Sequence, residues 1–359
     1  MSRKKNAPLI GLVVFLVLGG CVSQPPRRVS INTELPTDLP KKLKDKFEIK
    51  EISQLGTFPS PTPSPELWVK GKKGKAKKNK SRDLAMSSSV PSPAPSPVVY
   101  APRRIPGDPI WIGEKLTYSI SYFGISAGDV SMEILPFKVM DNRKVYHVRV
   151  TATSSAVFSV FYRLNDVVET FMDYESLFSH RFHVVLDETK QTRDSLELHD
   201  YEKNQTFFWN RWNRKNAGYV ETKEYAPILP YSQDSLSALY YTRLVPLTVG
   251  AVFSAPIISE AKYFEAVCTV LRKERMSTPM GPMDTFVIKP EMKYQGILKK
   301  SGDSFLWLTD DDRRMPVRLE AKVKIGTVVA SLKAVTPGEP PEVAATVPAL
   351  PKPSPIPSP

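Results

Sequence analysis

The stretch that decides the fold is Phe305 to Leu332, FLWLTDDDRRMPVRLEAKVKIGTVVASL. It reads as two strands joined by a charged turn. On the second strand Val317, Leu319, Ala321, Val323 and Ile325 alternate with Arg318, Glu320, Lys322 and Lys324. Successive side chains of an extended chain point to opposite faces, so one face is apolar and the other charged. A ribbon of this kind needs a core on one side and water on the other.

Working back from that ribbon, the same signal recurs. Leu116, Tyr118, Ile120 and Tyr122 alternate with Lys115, Thr117, Ser119 and Ser121. Gly124 and Gly128 bracket a turn into Val130, Met132 and Ile134, and Asp141-Asn142 marks the turn before Val145 to Thr151. Further strands are expected at 166–172, 181–186, 195–201, 206–209, 219–224, 249–253, 263–271 and 285–289. Residues 156–164 are ambiguous between helix and strand. The clearest helix starts at Asp234, a capping residue, with Leu236, Leu239, Tyr240 and Arg243 at helical spacing and Pro246 barring its extension. About a dozen strands and one short helix predict a mainly β domain: a large antiparallel sheet, strongly curved or barrel-like, because curvature protects the edges and makes an interior.

Composition sets the domain limits. Of 34 prolines, 15 lie between Val22 and Pro109 and 9 after Val335. The reading is a leader at 1–20, a disordered Pro/Ser- and Lys-rich linker at 21–109, a β domain at 110–335 and a Pro-rich tail at 336–359. Within the linker, Thr37 to Ile52 carries a possible short helix, with Asp38 as cap, Pro40 in its first turn and Leu39, Leu43 and Phe47 every four residues. Roughly 85 linker residues would average about 50 Å end to end as a flexible coil.

The net charge of +13 is misplaced for a nucleic-acid binder. Residues 1–104 hold 20 Lys+Arg against 7 Asp+Glu, and the rest is balanced at 30 and 30. The basic excess sits in the leader and linker, and the folded part is neutral. Its densest run is Lys70 to Lys80, without aromatic residues for base stacking. In an exported chain it faces anionic lipid head groups or acidic envelope polymers, or it is simply a solvated spacer.

The leader reads as a secretion signal. Arg3, Lys4 and Lys5 precede an apolar segment, Leu9 to Leu18, too short to span a bilayer. Leu18-Gly19-Gly20-Cys21 resembles a bacterial lipobox, in which the cysteine is acylated and becomes the first mature residue. Several acyl chains on Cys21 would give stable membrane anchoring. Val22 stands where an aspartate would suggest retention at the inner membrane, which favours the outer membrane, facing the periplasm. Cys268, the second cysteine, then has no disulfide partner, and its register with Phe264, Ala266 and Val270 reads as a buried small hydrophobe.

Three blocks resemble the bacterial domain-of-unknown-function family 3108, found in exported proteins. They are Gly113 to Tyr118 with Ala127-Gly128, Asp234 to Arg243, and Trp307 to Asp311 with Arg314 to Val317. The resemblance implies an exported β-rich domain. That family has no established activity, so no catalytic residue carries over.

Chemistry is sparse. The sequence holds no Gly-x-Ser-x-Gly elbow, His-Glu-x-x-His, phosphate loop or dinucleotide fingerprint. His180 and His183, three apart on a strand, fall on opposite faces and cannot share a metal without a bend. Asp310, Asp311 and Asp312 with Arg313 and Arg314 lack the alternation and glycine of a calcium loop, and read as a structural turn or a ligand contact. Asp234 and Arg243 read as a helix cap and an intramolecular ion pair, or as a functional pair. On a strand Phe207 and Trp209 share a face, and the cluster with Trp212, Arg211 and Arg214 packs a core or lines a cavity. The binding candidates are therefore Asp310, Asp311, Arg313, Arg314, Asp234, Arg243, Trp209 and Trp212, with Cys21 for lipidation and neither cofactor nor metal. The function expected is a non-enzymatic envelope lipoprotein that binds an amphipathic ligand or an envelope protein. A hydrolase of envelope glycan or lipid and a purely structural spacer are the alternatives.

Overall fold

The computed structural model describes residues 33–54, 103–105, 107–294, 297–298, 303–322 and 326–341. Cys21, the apolar leader, Lys70 to Lys80 and the tail after 341 lie outside the described residues. Three helices, α1 (Lys41–Phe47), α2 (Ala156–Ser159) and α3 (Ser235–Leu244), accompany the strands. The first half of the chain gives β1 (Lys50–Glu51), β2 (Lys115–Tyr122), β3 (Ile125–Met140), β4 (Arg143–Ser154), β5 (Asn165–Asp173), β6 (Ser179–Asp187), β7 (Gln191–Asp200), β8 (Gln205–Arg214) and β9 (Gly218–Pro227). The second gives β10 (Val252–Ser259), β11 (Lys262–Thr278), β12 (Gly281–Tyr294), β13 (Ile297–Leu298), β14 (Ser304–Thr309), β15 (Pro316–Lys322) and β16 (Thr327–Thr336).

All of them belong to one sheet. Its order is β10-β11-β12-β14-β15-β16-β2-β3-β4-β5-β6-β7-β8-β9, with β1 added to β3 and β13 to β12. Every neighbouring pair is antiparallel. The two runs of hairpins are joined where β16 pairs with β2, Val328 opposite Tyr122 and Thr336 opposite Lys115. Turns therefore alternate between two rims. One rim carries α2 and the turns after β2, β6 and β8. The opposite rim carries the turns after β3, β5, β7 and β14.

The alternation read from the sequence sets the faces. Leu116, Tyr118 and Ile120 of β2 are buried, as are Val130, Met132 and Ile134 of β3, and they join Val328, Ala330 and Leu332 of β16 in the main core. On β15, Val317 belongs to that core with Leu319 and Ala321 packed beside it, while Arg318 pairs with Glu320 on the other face. Val323 to Ile325 lie outside the described residues. The Ala127-Gly128 block has a steric cause. A Cβ at Gly128 would stand 2.1 Å from the Thr153 carbonyl oxygen of β4, so only glycine lets the two strands approach.

The sheet curls without closing into a hydrogen-bonded barrel. Its β10 edge is met by the segment before α3, where Gln233 N donates to Pro256 O at 2.8 Å and Ile258 N to Gln233 O at 2.9 Å. The same segment reaches β6 through Ser179 N and Ser232 O at 3.0 Å. The β10–β11 turn lies on β7, where the buried Glu197 carboxylate accepts from Glu260 N at 3.1 Å and Ala261 N at 2.9 Å. The other edge, β9, is exposed and charged, with Glu221, Lys223 and Glu224, which discourages edge pairing.

Three boundaries differ from the sequence reading. The linker is not wholly disordered. Leu39, Leu43 and Phe47 of α1 are buried in a second core with Phe171, Leu196, Leu198, Phe207 and Trp209, on the outer face of β4–β8. Their spacing gives α1 an apolar face, and that face overcomes the surrounding prolines. Asp38 does not cap α1; Pro40 occupies the N-cap without a side-chain bond. At the other boundaries, Arg103 N bonds Glu175 O at 2.7 Å, and Glu339 pairs with Ile112, so the domain extends slightly beyond 110–335 on both sides.

Candidate functional site

Between α3 and the concave face of the sheet lies a cavity of about 220 Å³. Its walls come from both halves of the sheet. Tyr118 and Ile120 face Leu306, Leu319 and Met292, and Leu236 and Leu239 of α3 form the roof. Polar groups in the lining are few. Thr242 Oγ1 donates to Ala238 O at 2.8 Å, and Glu320 accepts from Arg318 at 2.6 Å. The lining residues Ile120, Val328, Ala321, Ser304 and Met292 all sit near the ends of their strands on the α2 rim. The cavity therefore lies toward that rim. Among the described residues Glu320 is the one carboxylate in the lining, so these residues supply no carboxylate pair of the kind that cleaves glycosidic bonds.

Cys268 also lines this cavity. Burial pushes its thiol up to about 12, so it contributes bulk and no nucleophile. Among the described residues no group of three His, Cys, Asp or Glu side chains is arranged to hold a metal ion. His180 bonds Asp173 at 3.1 Å and His183 bonds Asp194 at 2.9 Å, on opposite faces of β6.

The roof is held at both ends. At its N-terminus Asp234 is fully buried. It accepts from Leu236 N at 2.7 Å, Ser237 N at 2.8 Å, Thr170 Oγ1 at 2.5 Å and Ser179 Oγ at 2.6 Å, and Ser237 Oγ accepts from Asp234 N. This capping box joins α3 to β5 and β6. Burial raises the Asp234 carboxyl against those four donors. At the C-terminus Arg243 is fully buried and makes a two-pronged ion pair with Glu114, at 2.6 and 2.9 Å. It also donates to Pro109 O at 2.8 Å and Arg313 O at 3.0 Å.

The acidic turn after β14 completes this second anchor. Asp311 Oδ1 accepts from Arg313 N at 3.0 Å, Arg314 N at 2.9 Å and Thr309 Oγ1 at 2.6 Å, the local bonding that makes aspartate a turn former. Arg313 reaches Glu114 and stacks on Trp111, 3.5 Å from the ring centre. Arg314 donates to carbonyls at the end of α3 and just beyond it, Arg243 O at 3.1 Å and Val245 O. Asp310 pairs with Lys273 at 2.5 Å.

The structure thus brings Arg243, Arg313, Arg314 and Asp311 together and places Asp234 at the far end of the helix. Glu114 and Arg243, from the first two blocks, and Arg313, from between the two parts of the third, meet in one cluster. These charges are bonded to one another and to the backbone. They hold the roof over the cavity and do not line it. Trp209 and Trp212 are elsewhere, on β8. Trp209 is buried under α1 and donates to Glu221 at 2.9 Å, and Trp212 donates to Gln191 at 2.8 Å on the other face. The cavity-lining residues did not stand out in the sequence. Their alternation marks them as core, and nothing in it distinguishes a packed core from one that encloses space.

The family model of DUF3108, described as a protein of unknown function, matches residues 117–333. The chain belongs to the DUF3108 family. The match runs from within β2 to within β16 and includes α3, so it covers the cavity and its roof. No curated protein matches. Among solved structures, the DUF3108 chain is similar to a β-barrel-like protein of family DUF1849 from Brucella abortus, at 10% identity over 63% of this chain and 98% of that one, with a TM-score of 0.42. It is also similar to a candidate lipoprotein from Parabacteroides distasonis, at 9% identity over 64% and 98% with a TM-score of 0.29. A candidate exported protein with a YmcC-like fold from Bacteroides fragilis matches at 10% identity over 66% and 98%, with a TM-score of 0.28. All three likenesses are loose.

Proposed function

We propose that this DUF3108 protein is a lipid-anchored, non-enzymatic protein of the bacterial envelope, and that its β domain holds the apolar part of an amphipathic ligand in the cavity under α3. The observation that carries this reading is the cavity itself. Its lining is mostly apolar, and it is larger than the ~150 Å³ engineered cavity that stays dry and binds benzene. An acyl chain burying about eight methylenes there would gain roughly 6 kcal/mol, tens of micromolar before any contact by its head group. Ser304, at the rim end of the lining, suits a polar head left near water.

The lipobox at Leu18 to Cys21 supports anchoring, and Val22 after it supports the outer membrane, with the domain facing the periplasm. The docking of α1 changes the expected reach. With residues 33–54 on the sheet, the tether from Cys21 shortens to twelve residues, a span of at most about 40 Å. Lys70 to Lys80 then belongs to a 48-residue excursion whose ends, Gln54 and Arg103, both sit on the domain. Anionic lipid or acidic polymer remains the partner its charge suits.

The test uses the Cys21→Ser form, exported and purified without detergent, then extracted into organic solvent for mass spectrometry. The reading predicts one acyl-bearing amphiphile released in stoichiometric amount. Protein recovered with nothing in the cavity would contradict it.

A further inference from the structure

The α2 rim exposes large apolar side chains on a backbone that is held in place. Val157, Val160 and Phe161 are 75, 80 and 79% exposed, and Phe123 and Ile125, in the adjoining β2–β3 turn, are 61 and 65% exposed. The two loops are neighbours: Ser155 N donates to Ala127 O at 2.9 Å. Residues 155–164 are fixed at both ends. Ser155 caps α2 through Phe158 N at 3.2 Å, and Phe158 packs on the main core. Arg163 N donates to Thr189 Oγ1 at 2.7 Å, its guanidinium takes both oxygens of Asp187 at 2.8 Å, and Tyr162 donates to Glu188 at 2.5 Å. A loop this well anchored could have turned its phenylalanine inward, yet it presents it to solvent. Exposed apolar clusters of this sort mark interaction surfaces.

Basic residues flank the cluster on the same rim. Beyond Arg163, Lys190 lies over the Tyr162 ring at 5.9 Å, and Lys215 N donates to Lys190 O at 2.9 Å. On this rim Asp166, Asp187 and Glu188 are buried, and the exposed Asp129, two residues from Ala127, is paired with Lys333 at 2.8 Å. Apolar tips with lysine and arginine beside them match the boundary between acyl chains and anionic head groups.

We propose that the α2 rim docks on an anionic bilayer surface, with Val157, Val160 and Phe161 inserted between head groups. The occupant is chosen by the chain outside the described residues: an acylated Cys21 twelve residues before Thr33 would keep the domain within about 40 Å of a bilayer. That nearness rests on the lipoprotein reading; the docking test below does not. Because the cavity lies toward the same rim, docking would bring it close to the lipid.

The experiment is flotation of the full chain, carrying Cys21→Ser so that no acyl anchor contributes, with vesicles of phosphatidylglycerol mixed into phosphatidylethanolamine. The unlipidated chain is expected to float with these vesicles and much less with phosphatidylcholine alone. The double variant Val160→Ser, Phe161→Ser should bind about tenfold more weakly, with an unchanged circular dichroism spectrum because both side chains are exposed. An environment-sensitive dye on the Val160→Cys variant should shift to the blue on vesicle addition. Equal flotation of parent and double variant, or a dye that does not respond, would overturn the proposal. So would a dimer that the double variant abolishes in a chain that ignores vesicles, since the rim would then be a contact between copies. None of the three inserted side chains lines the cavity, so ligand occupancy and vesicle binding are read separately.

Discussion

Glu197 marks the point where the β10–β11 turn rests on β7. Its carboxylate holds the two backbone N–H groups of the β10–β11 turn, and burial, opposed by those two bonds, pushes its pKa up to about 7 from 4.5. Between those values the unfolded chain has released a proton that the folded chain keeps. Stability therefore falls as pH rises from about 4.5 to 7. Glu169 acts in the opposite sense. Burial works to raise it, but His147 and Arg149 hold it down at about 2, so its contribution is present above about 4.5 and lost as pH falls toward 2. The two windows do not overlap, and urea midpoints can separate them. Glu197→Gln keeps an acceptor for the turn but no titrating proton. Relative to the parent it should gain on the order of 3 kcal/mol between pH 4.5 and 7; parallel pH profiles would show that Glu197 titrates normally. At this scale much was legible. Asp234 as a cap and Arg243 as partner of a sheet carboxylate follow from residue type and spacing. Glu114 and Glu197 did not stand out, because their importance comes from distant partners that only the fold supplies.

Among the elements, α1 shows most clearly how a local pattern competes with composition. Leu39, Leu43 and Phe47 announce a helix with one apolar face, yet they lie in a stretch whose prolines and lysines read as a linker. Whether such a face finds a partner depends on the outer surface of β4–β8, which no local reading can see. The structure gives it one, and adds Lys46 bonded to Asp200 at 2.9 Å and Glu202 at 2.8 Å. Phe47 is fully buried, so Phe47→Ala should cost about 3–5 kcal/mol of docking. We expect amide protection to fall across Lys41–Phe47 while α3 keeps its own, as measured by hydrogen exchange. Unchanged protection of α1 would mean that Phe47 does not hold it. Strand signals were good where alternation was clean, as on β2 and β15. They placed the start of one strand three residues too early, at Val249, because Gly250 takes a positive φ of 86° and the chain turns before β10 begins at Val252. The ambiguity at 156–164 resolved as a single helical turn because Ser155 caps it and, after Phe158, the next apolar side chain to be buried is Leu164, six residues on and past the turn.

For the whole molecule, the class of fold was readable and its strand order was not. Period-two patterning gives strands and faces, but the pairing of β16 with β2, some 200 residues apart in sequence, carries no local mark. The cavity depends on that pairing and on α3 being held across it. The central claim is that this space is a binding site and not a packing defect. Filling it distinguishes the two. Ala330→Phe places a ring among the lining residues from a strand whose backbone need not move. The decisive measurement is titration of the parent and of this variant with a fluorescent fatty acid, with thermal unfolding run alongside. The account predicts saturable binding by the parent, loss of that binding by at least tenfold in the variant, and a melting temperature that holds or rises. Equal binding by both proteins, or none by either, would contradict it.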